Sequence, residues 1–497
     1  MNHPNRLSTR LLVSAVVLAW PVAAQEAPAP PTAAETMTES LPKSTDFEAK
    51  IRSMVARPNG MTAATAARMS ERTSLDVKAK RAELSAAEAE LDQAVVAYAP
   101  RLTLTARYVR LSPIDAQGLG PDGANLVATP AAAGPLPPGA PLVAVPGSAL
   151  SFPVILDQYT LQAGLVVPVS DYFSRLPETR AASARQSQSA SLAVLVEKRA
   201  ARANGQLLYY EWVRAKLSRL AAEQSVAQSQ SHLAVVEALV GAERASKGDV
   251  LRVQAQLARA ELMETRANTV ARLSEDRLRT ALHDNSNKPY AIGEDLYARL
   301  PPAPTQSTSA LVAESMKNRP ELSVLERTSA ALAARAKATR SAGYPRLDAF
   351  GNVYYANPNQ RYVPQSSEWN ATWDIGVQLS WTPNDLASSS AGAQALQARR
   401  SAVVAQAARL RDAIRTEVIG AHGAVVEATK AVDTAARGLT AAEESYRVHA
   451  ELFRFGRATS VQLTDAETEL LSARLASVNA RVDLYSARVR LDHALGR

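Results

Sequence analysis

The sequence predicts a mixed α/β membrane protein: a tandem repeat with two long helical hairpins and four strands long enough to cross a bilayer. Three observations carry this prediction: two proline-free tracts, an internal repeat, and strands that alternate between apolar and polar residues. The 497 residues include 28 prolines, yet none falls between Glu178 and Lys288 or between Asn384 and Arg497. Each of these tracts, 111 and 114 residues long, would hold about six prolines at average usage. Both are rich in Ala, Leu, Arg, Glu and Gln, the best helix formers, whereas Pro costs about 3 kcal/mol inside a helix. Two very long helical regions follow. An α/β enzyme, with turns about every 10 to 20 residues, is disfavoured.

Composition narrows the class further. The absence of cysteine removes disulfide scaffolds, cysteine-ligated zinc, Fe–S clusters and thiol catalysis. The net charge of +8 comes from 56 basic and 48 acidic residues that interleave, as in Arg272, Glu275, Asp276 and Arg277. That pattern reads as solvated helix faces rather than a nucleic-acid footprint. Arg6 and Arg10 precede the apolar run Leu11–Trp20, and Pro21, Val22, Ala23 and Ala24 follow. This order reads as a secretory signal peptide, residues 1–24, cleaved after Ala24. The run is too short to span a bilayer, and no later stretch reaches about 18 apolar residues. With no cysteine at the cleavage site, a lipid anchor is not expected. The Pro- and Thr-containing leader, 25–59, is expected to be extended or disordered.

Comparison of the sequence with itself reveals the repeat. Pro100, Arg101 and Leu102 recur as Pro345, Arg346 and Leu347, and Pro113 recurs as Pro358, a shift of 245. Further on the shift drops: Gly164 pairs with Gly376, 212 apart, and Leu278, Ala281 and Leu282 pair with Leu491, Ala494 and Leu495, 213 apart. The first copy therefore carries about 33 extra residues between Pro113 and Gly164, a Pro, Gly and Ala segment expected to be loop. The domains are read as a first repeat over 60–283, a linker over 284–309 and a second repeat over 310–497.

Strands are expected at about 101–112, 158–169, 346–356 and 369–381. From Trp369 to Trp381 every odd position is apolar and every even one polar or Gly, a period of two over 13 residues. At about 3.3 Å per residue and a tilt of about 40°, such a strand covers roughly 30 Å of membrane normal. Trp369 and Trp381 at its ends, with Tyr159 in the first copy, are candidate membrane-interface aromatics. One such strand alone would read as half of a soluble sandwich; four in an otherwise helical, exported chain point to a bilayer. Four strands cannot close a barrel, and open edges in lipid leave backbone groups unpaired, so the chain is expected to oligomerise through its strands.

Helical hairpins are expected over about 174–283 and 386–496. Late in the second, Leu471, Leu475, Val478, Val482, Tyr485 and Val489 form a heptad seam, read as packing. Each tract breaks once, around Gly248 and around Gly456, where the chain reverses. GAERASKG (Gly241–Gly248) resembles a phosphate-binding loop but lacks its second Gly and its hydroxyl residue, and no strand precedes it. The six histidines show no ligand spacing. No catalytic residue, metal site or cofactor is indicated.

These residues resemble the TolC-like outer membrane factors of Gram-negative export systems over about Thr62 to Arg497. The resemblance rests on the tandem copy, on Asn318, Arg319, Pro320, Glu321 and Leu322 opening the second copy, and on Tyr344–Leu347 leading into a strand. The Trp373–Trp381 strand and Phe455, Gly456, Asp465, Ala466 and Glu467 complete it. It implies a homotrimer pooling four strands per subunit into a 12-stranded transmembrane β-barrel, continued by a long periplasmic α-helical barrel. It implies, further, a passive efflux duct in outer membrane lipid, docked by a periplasmic adaptor and powered by an inner-membrane pump of resistance-nodulation or ABC type. A duct for type I protein secretion, or a periplasmic coiled-coil adaptor without a pore, are the alternatives. In such proteins two acidic positions after the second-turn glycine ring the periplasmic constriction. Here they are Gln462 and Asp465, so only the second acid is kept; otherwise Asp465 reads as an ordinary exposed helix residue. The first turn departs too, with Glu243 where glycine is expected. Glu243, Lys247, Gly248 and Asp249 in the first turn, and Phe455, Gly456 and Arg457 in the second, are the candidate adaptor contacts.

Overall fold

The computed structural model describes residues 45–113, 124–128, 138, 142–146, 154–286, 288–297, 300 and 305–497. The expected signal peptide and most of the leader lie outside them. Chain order within them is α1 (Thr45–Met54), α2 (Ala63–Thr73), α3 (Leu75–Val96), β1 (Arg101–Arg110), β2 (Ala124–Ala128), β3 (Leu142–Pro146), β4 (Asp157–Val167), α4 (Arg175–Gly241) and α5 (Lys247–Ala281). The second half follows as α6 (Thr308–Asn318), α7 (Pro320–Ser341), β5 (Arg346–Asn357), β6 (Asn370–Ser380), α8 (Pro383–Arg454) and α9 (Ser460–Ala494).

Two helices set the length of the molecule. At 67 and 72 residues, α4 and α8 each run about 100 Å. The remaining helices are shorter and flank them, α3 and α7 beside the sheet, α5 and α9 at the far end. Helix starts follow local chemistry. Pro320 and Pro383 open α7 and α8 at positions where no amide hydrogen is needed. Ser74, Ser246 and Thr459 accept from amides of the first turns of α3, α5 and α9.

Strands β1, β4, β5 and β6 form one antiparallel sheet in that order. Its register aligns apolar rows across all four strands, such as Leu104, Ala163, Val353 and Trp373. The expected heptad residues Val478, Val482 and Val489 are buried with Tyr209, Tyr210, Trp212 and Leu278, and Leu471, Leu475 and Tyr485 pack on this core.

Two expectations are corrected. The leader is not extended throughout: Thr45–Met54 is helical, because Phe47, Ile51 and Val55 repeat at helical spacing and bury against the Trp212 core. The insertion is not only loop, since β2 and β3 pair as a hairpin, Ala124 against Pro146 through Ala128 against Leu142. Its Leu-Val-Ala-Val stretch at 142–145 has strand propensity that the surrounding Pro and Gly content obscured.

Among the described residues no helix is long and apolar enough to cross a membrane.

Candidate functional site

Three places on the protomer bear on function: the two faces of the sheet, the helical tips, and a buried polar cluster behind the tips. On one face of the sheet Trp373, Ile375, Val377 and Leu379 are 69–79 % exposed. Leu102, Leu104, Leu161, Leu165 and Val353 continue this apolar surface across the register. The opposite face is polar. There Gln162 donates to Asn352 (3.3 Å) and Asn352 to Asp374 (2.9 Å), and Arg361 from the β5–β6 loop pairs with Asp374 and lies over Tyr354. Phe350 covers the gap at Gly376, where a Cβ would come within 2.9 Å of the ring. An exposed apolar face of this size has no place in water.

The candidate interface aromatics occupy both ends of this sheet. Trp369 stacks on Tyr355 (4.9 Å) and lies 6.0 Å from Tyr159, which in turn meets Tyr108 at 5.0 Å. At the other end the Trp381 indole N–H donates to the Gly343 carbonyl at 3.1 Å. Trp369 and Trp381 fall just outside β6 itself.

At the far end of the long helices the two turns are built alike. Helix α8 ends with Gly456 at φ +68°, its N–H donating to Phe453 O while Arg457 N–H reaches back to Leu452 O. Helix α4 ends with Glu243 at φ +60°, bonded in the same way to Val240, with Arg244 N–H to Leu239. This is the same left-handed helix stop, 213 residues apart. Gly248 is therefore not the reversal point, as expected from sequence, but lies in the first turn of α5, after Ser246 has capped it. The segment before it is the end of a helix rather than a strand, which leaves GAERASKG no phosphate-loop geometry. A non-glycine residue in this region costs about 1–2 kcal/mol. Glu243→Gly is accordingly expected to slow hydrogen exchange at the first tip, and Gly456→Ala to speed it at the second; no change in either would show that the turns bear no strain.

Glu243, Lys247, Gly248, Phe455, Gly456 and Arg457 are all exposed there, and a Cβ on Gly456 would meet Arg244 at 3.3 Å, so the turns sit side by side. Gln462 caps α9, its side-chain oxygen accepting from Thr459 N–H at 2.8 Å. Asp249, its counterpart at the 213 shift, caps α5 by accepting from the amide and hydroxyl of Ser246. Those bonds hold the Asp249 carboxyl below the usual carboxylate range. Their stabilisation is complete above the unfolded Asp pKa, near 4, and is lost as pH falls through the lower folded value. Asp249→Ala removes one half of this reciprocal cap and should weaken the start of α5, read as faster amide exchange confined to that turn at neutral pH. Asp465 is exposed one turn beyond Gln462. Its counterpart at the 213 shift is a base, Arg252, 3.9 Å from Asp249, a charge that the repeat register reveals only when read position by position.

Behind the tips lies a buried polar cluster. The ring of His232, fully buried on α4, lies 3.3 Å from Glu467 through Nδ1 and 3.3 Å from the Ser460 hydroxyl through Nε2. Phe453 meets the ring edge-on. Arg474, 1 % exposed, donates to Gln228 at 3.4 Å and lies over the Phe47 ring at 4.6 Å. Burial pulls the Arg474 guanidinium below its ordinary pKa, against Glu443 and Tyr446, which support its charge. Sequence reading passed over this cluster, although a signal was present: Leu463, Glu467, Leu470 and Arg474 step by 4, 3 and 4, a second heptad stripe one residue out of register with the seam from Leu471, with two charged residues at its packed positions.

This combination of sheet, hairpins and tips is shared with known proteins. Residues 311–497 match the family model described as outer membrane efflux protein. Across nearly the whole chain the fold is shared with solved outer membrane channels, in line with the sequence resemblance. The outer-membrane channel OprN superposes with a TM-score of 0.67 at 20 % identity, over 89 % of this chain and 94 % of that one. CmeC, an outer membrane channel of Campylobacter jejuni, gives 0.68 at 13 % identity over 88 % and 89 %. MtrE of Neisseria gonorrhoeae, crystallised in an open state, gives 0.64 at 15 % over 87 % and 88 %. No curated protein matches by sequence.

Proposed function

We propose that this protein is the outer membrane exit duct of a tripartite efflux pump, exported by its N-terminal signal and passively conducting small molecules outward. The observation that carries this reading is the sheet: one face apolar and exposed, the other polar, with edges β1 and β6 both unpaired among the described residues. In lipid such edges must pair. β6 runs antiparallel to β1, so a second copy continues the ladder head to tail, and a ring of copies removes every edge. The helices agree with this. Beside the sheet the packing order is α3, α4, α7, α8, and at the far end α8, α9, α4, α5. Each layer therefore ends on a first-repeat element on one side and a second-repeat element on the other. Exposed Leu251 and Leu262 on α5, and Ile419 and Val426 on α8, suit such contacts. Three copies give the 12-stranded barrel of the resemblance, with the polar face lining the lumen.

The tip residues Glu243, Lys247, Gly248, Asp249, Phe455, Gly456 and Arg457 are the surface offered to a periplasmic adaptor, which couples the duct to an inner-membrane pump. Trp369, Tyr159 and Trp381 mark the two membrane interfaces. Fractionation and conductance test the reading: recovery from outer membranes as an oligomer that conducts in planar bilayers is expected, and a soluble, non-conducting protein would refute it. Asp465, with Gln462 one turn nearer the tip, is placed at the periplasmic constriction. Carboxylates converging on an axis attract cations, so Asp465→Asn should lower cation preference in reversal-potential measurements; unchanged selectivity removes Asp465 from the pore.

A further inference from the structure

We propose that, beside the barrel, each subunit is joined to the next by a charge-paired alanine seam between α3 of one copy and α8 of the following copy. The proposal rests on the ring reading above and specifies its contact. On the side of α3 away from its buried residues Val77, Ala87 and Ala94, the exposed residues include Ala79, Ala82, Ala86 and Ala89, with Lys78, Ser85 and Gln93. Alongside them stand Glu83, Glu88, Glu90 and Asp92, and residues 82–96 carry these four acids and no base. On α8, opposite buried Ala393 and Ala407, the exposed residues are Ala395, Ala398, Ala402 and Ala405. Beside these stand Arg399 and Arg409, also exposed. Side chains this small allow helix axes to approach to about 8 Å, which brings flanking charges within reach of one another.

Height along the bundle matches acid to base. Contacts of Tyr172 with Tyr98, of Lys337 with Glu178 and of Arg411 with Glu326 join α3, α4, α7 and α8 like rungs. Counting along the helices from these rungs, Arg399 stands within a turn of Glu90 and Asp92, and Arg409 at the height of Glu83. Rotation about a single axis preserves height, so the same residues come opposite one another between neighbouring copies. Glu83 is held by Lys80 at 2.8 Å. Among the described residues Glu88, Glu90, Asp92, Arg399 and Arg409 form no ion pair inside the protomer, although they flank its two free edges.

The cysteine-free chain allows a direct test. In outer membranes under mild oxidation, Ala89→Cys combined with Ala402→Cys should give covalent dimers and trimers, while each single variant stays monomeric on a non-reducing denaturing gel. Adding Arg399→Glu should reduce the cross-linked fraction severalfold, and further adding Glu90→Arg and Asp92→Arg should restore it. A cross-link insensitive to charge reversal overturns the ion pairing. If the unmodified protein is oligomeric by light scattering, and cysteines scanned along β1 and β6 cross-link but these positions do not, the seam is wrong and the ring stands. A monomeric unmodified protein removes the ring itself.

Discussion

Ile375→Arg is expected to abolish recovery of the oligomer from outer membranes. Ile375 lies at the centre of β6 and is 79 % exposed within the apolar surface formed with Trp373, Val377 and Leu379. An arginine at the middle of a lipid-facing strand costs about 2–4 kcal/mol, and in a ring of identical copies the cost recurs in each. The control is Gln378→Arg, exposed on the polar face of the same strand, where a charge projects into water. It should assemble and conduct. If both variants assemble equally well, the apolar face does not meet lipid, and the duct reading loses its main support.

Trp212→Ala is expected to be the most damaging single truncation in the helical part, by about 3–5 kcal/mol. Trp212 is fully buried where α4 meets α1, α5 and the segment around Tyr290. Its ring lies 5.7 Å from Tyr209 and 6.0 Å, edge-on, from Tyr290, and its N–H donates to Glu275 at 3.3 Å. Burial pushes the Glu275 carboxyl up, but hydrogen bonds from Lys216 and Trp212 outweigh it and leave the carboxyl below its ordinary value. Truncation therefore opens a cavity and removes one support of a partly buried charge. Trp212→Phe keeps most of the volume and should cost far less. Denaturant unfolding of the detergent-solubilised protein separates the cases; equal midpoints for wild type and Trp212→Ala would show that this cluster does not hold the helices together.

Much of the fold was legible in the sequence because its signals are local and periodic. Absence of proline over more than a hundred residues leaves helix as the natural state, and a period of two from Trp369 to Trp381 leaves strand. The 213-residue shift aligned Glu243 with Gly456, and both adopt the same left-handed stop, though Gly248 drew attention to the wrong end of that turn. Three features were obscured. Helix α1 is short and sits in a proline-rich leader, so its Phe47, Ile51 and Val55 stripe was masked by composition. The β2–β3 hairpin was masked in the same way. Nothing local marks His232, Glu467 and Arg474 as buried, because such side chains mostly face water; their burial follows from helices that meet only in three dimensions.

The sequence by itself determined the elements, their repeat and the two chemically different faces of each strand, because a side chain's direction along a helix or strand follows from backbone period alone. Only the tertiary structure decided the strand order β1, β4, β5, β6, the helices left at the edges, and the polar groups enclosed behind the tips. Those outcomes depend on contacts between residues far apart in sequence, such as His232 with Glu467 and Leu161 with Tyr355, and no local period encodes them. The free edges are the decisive case: that each falls on the first repeat at one side and the second at the other is a property of the packed protomer.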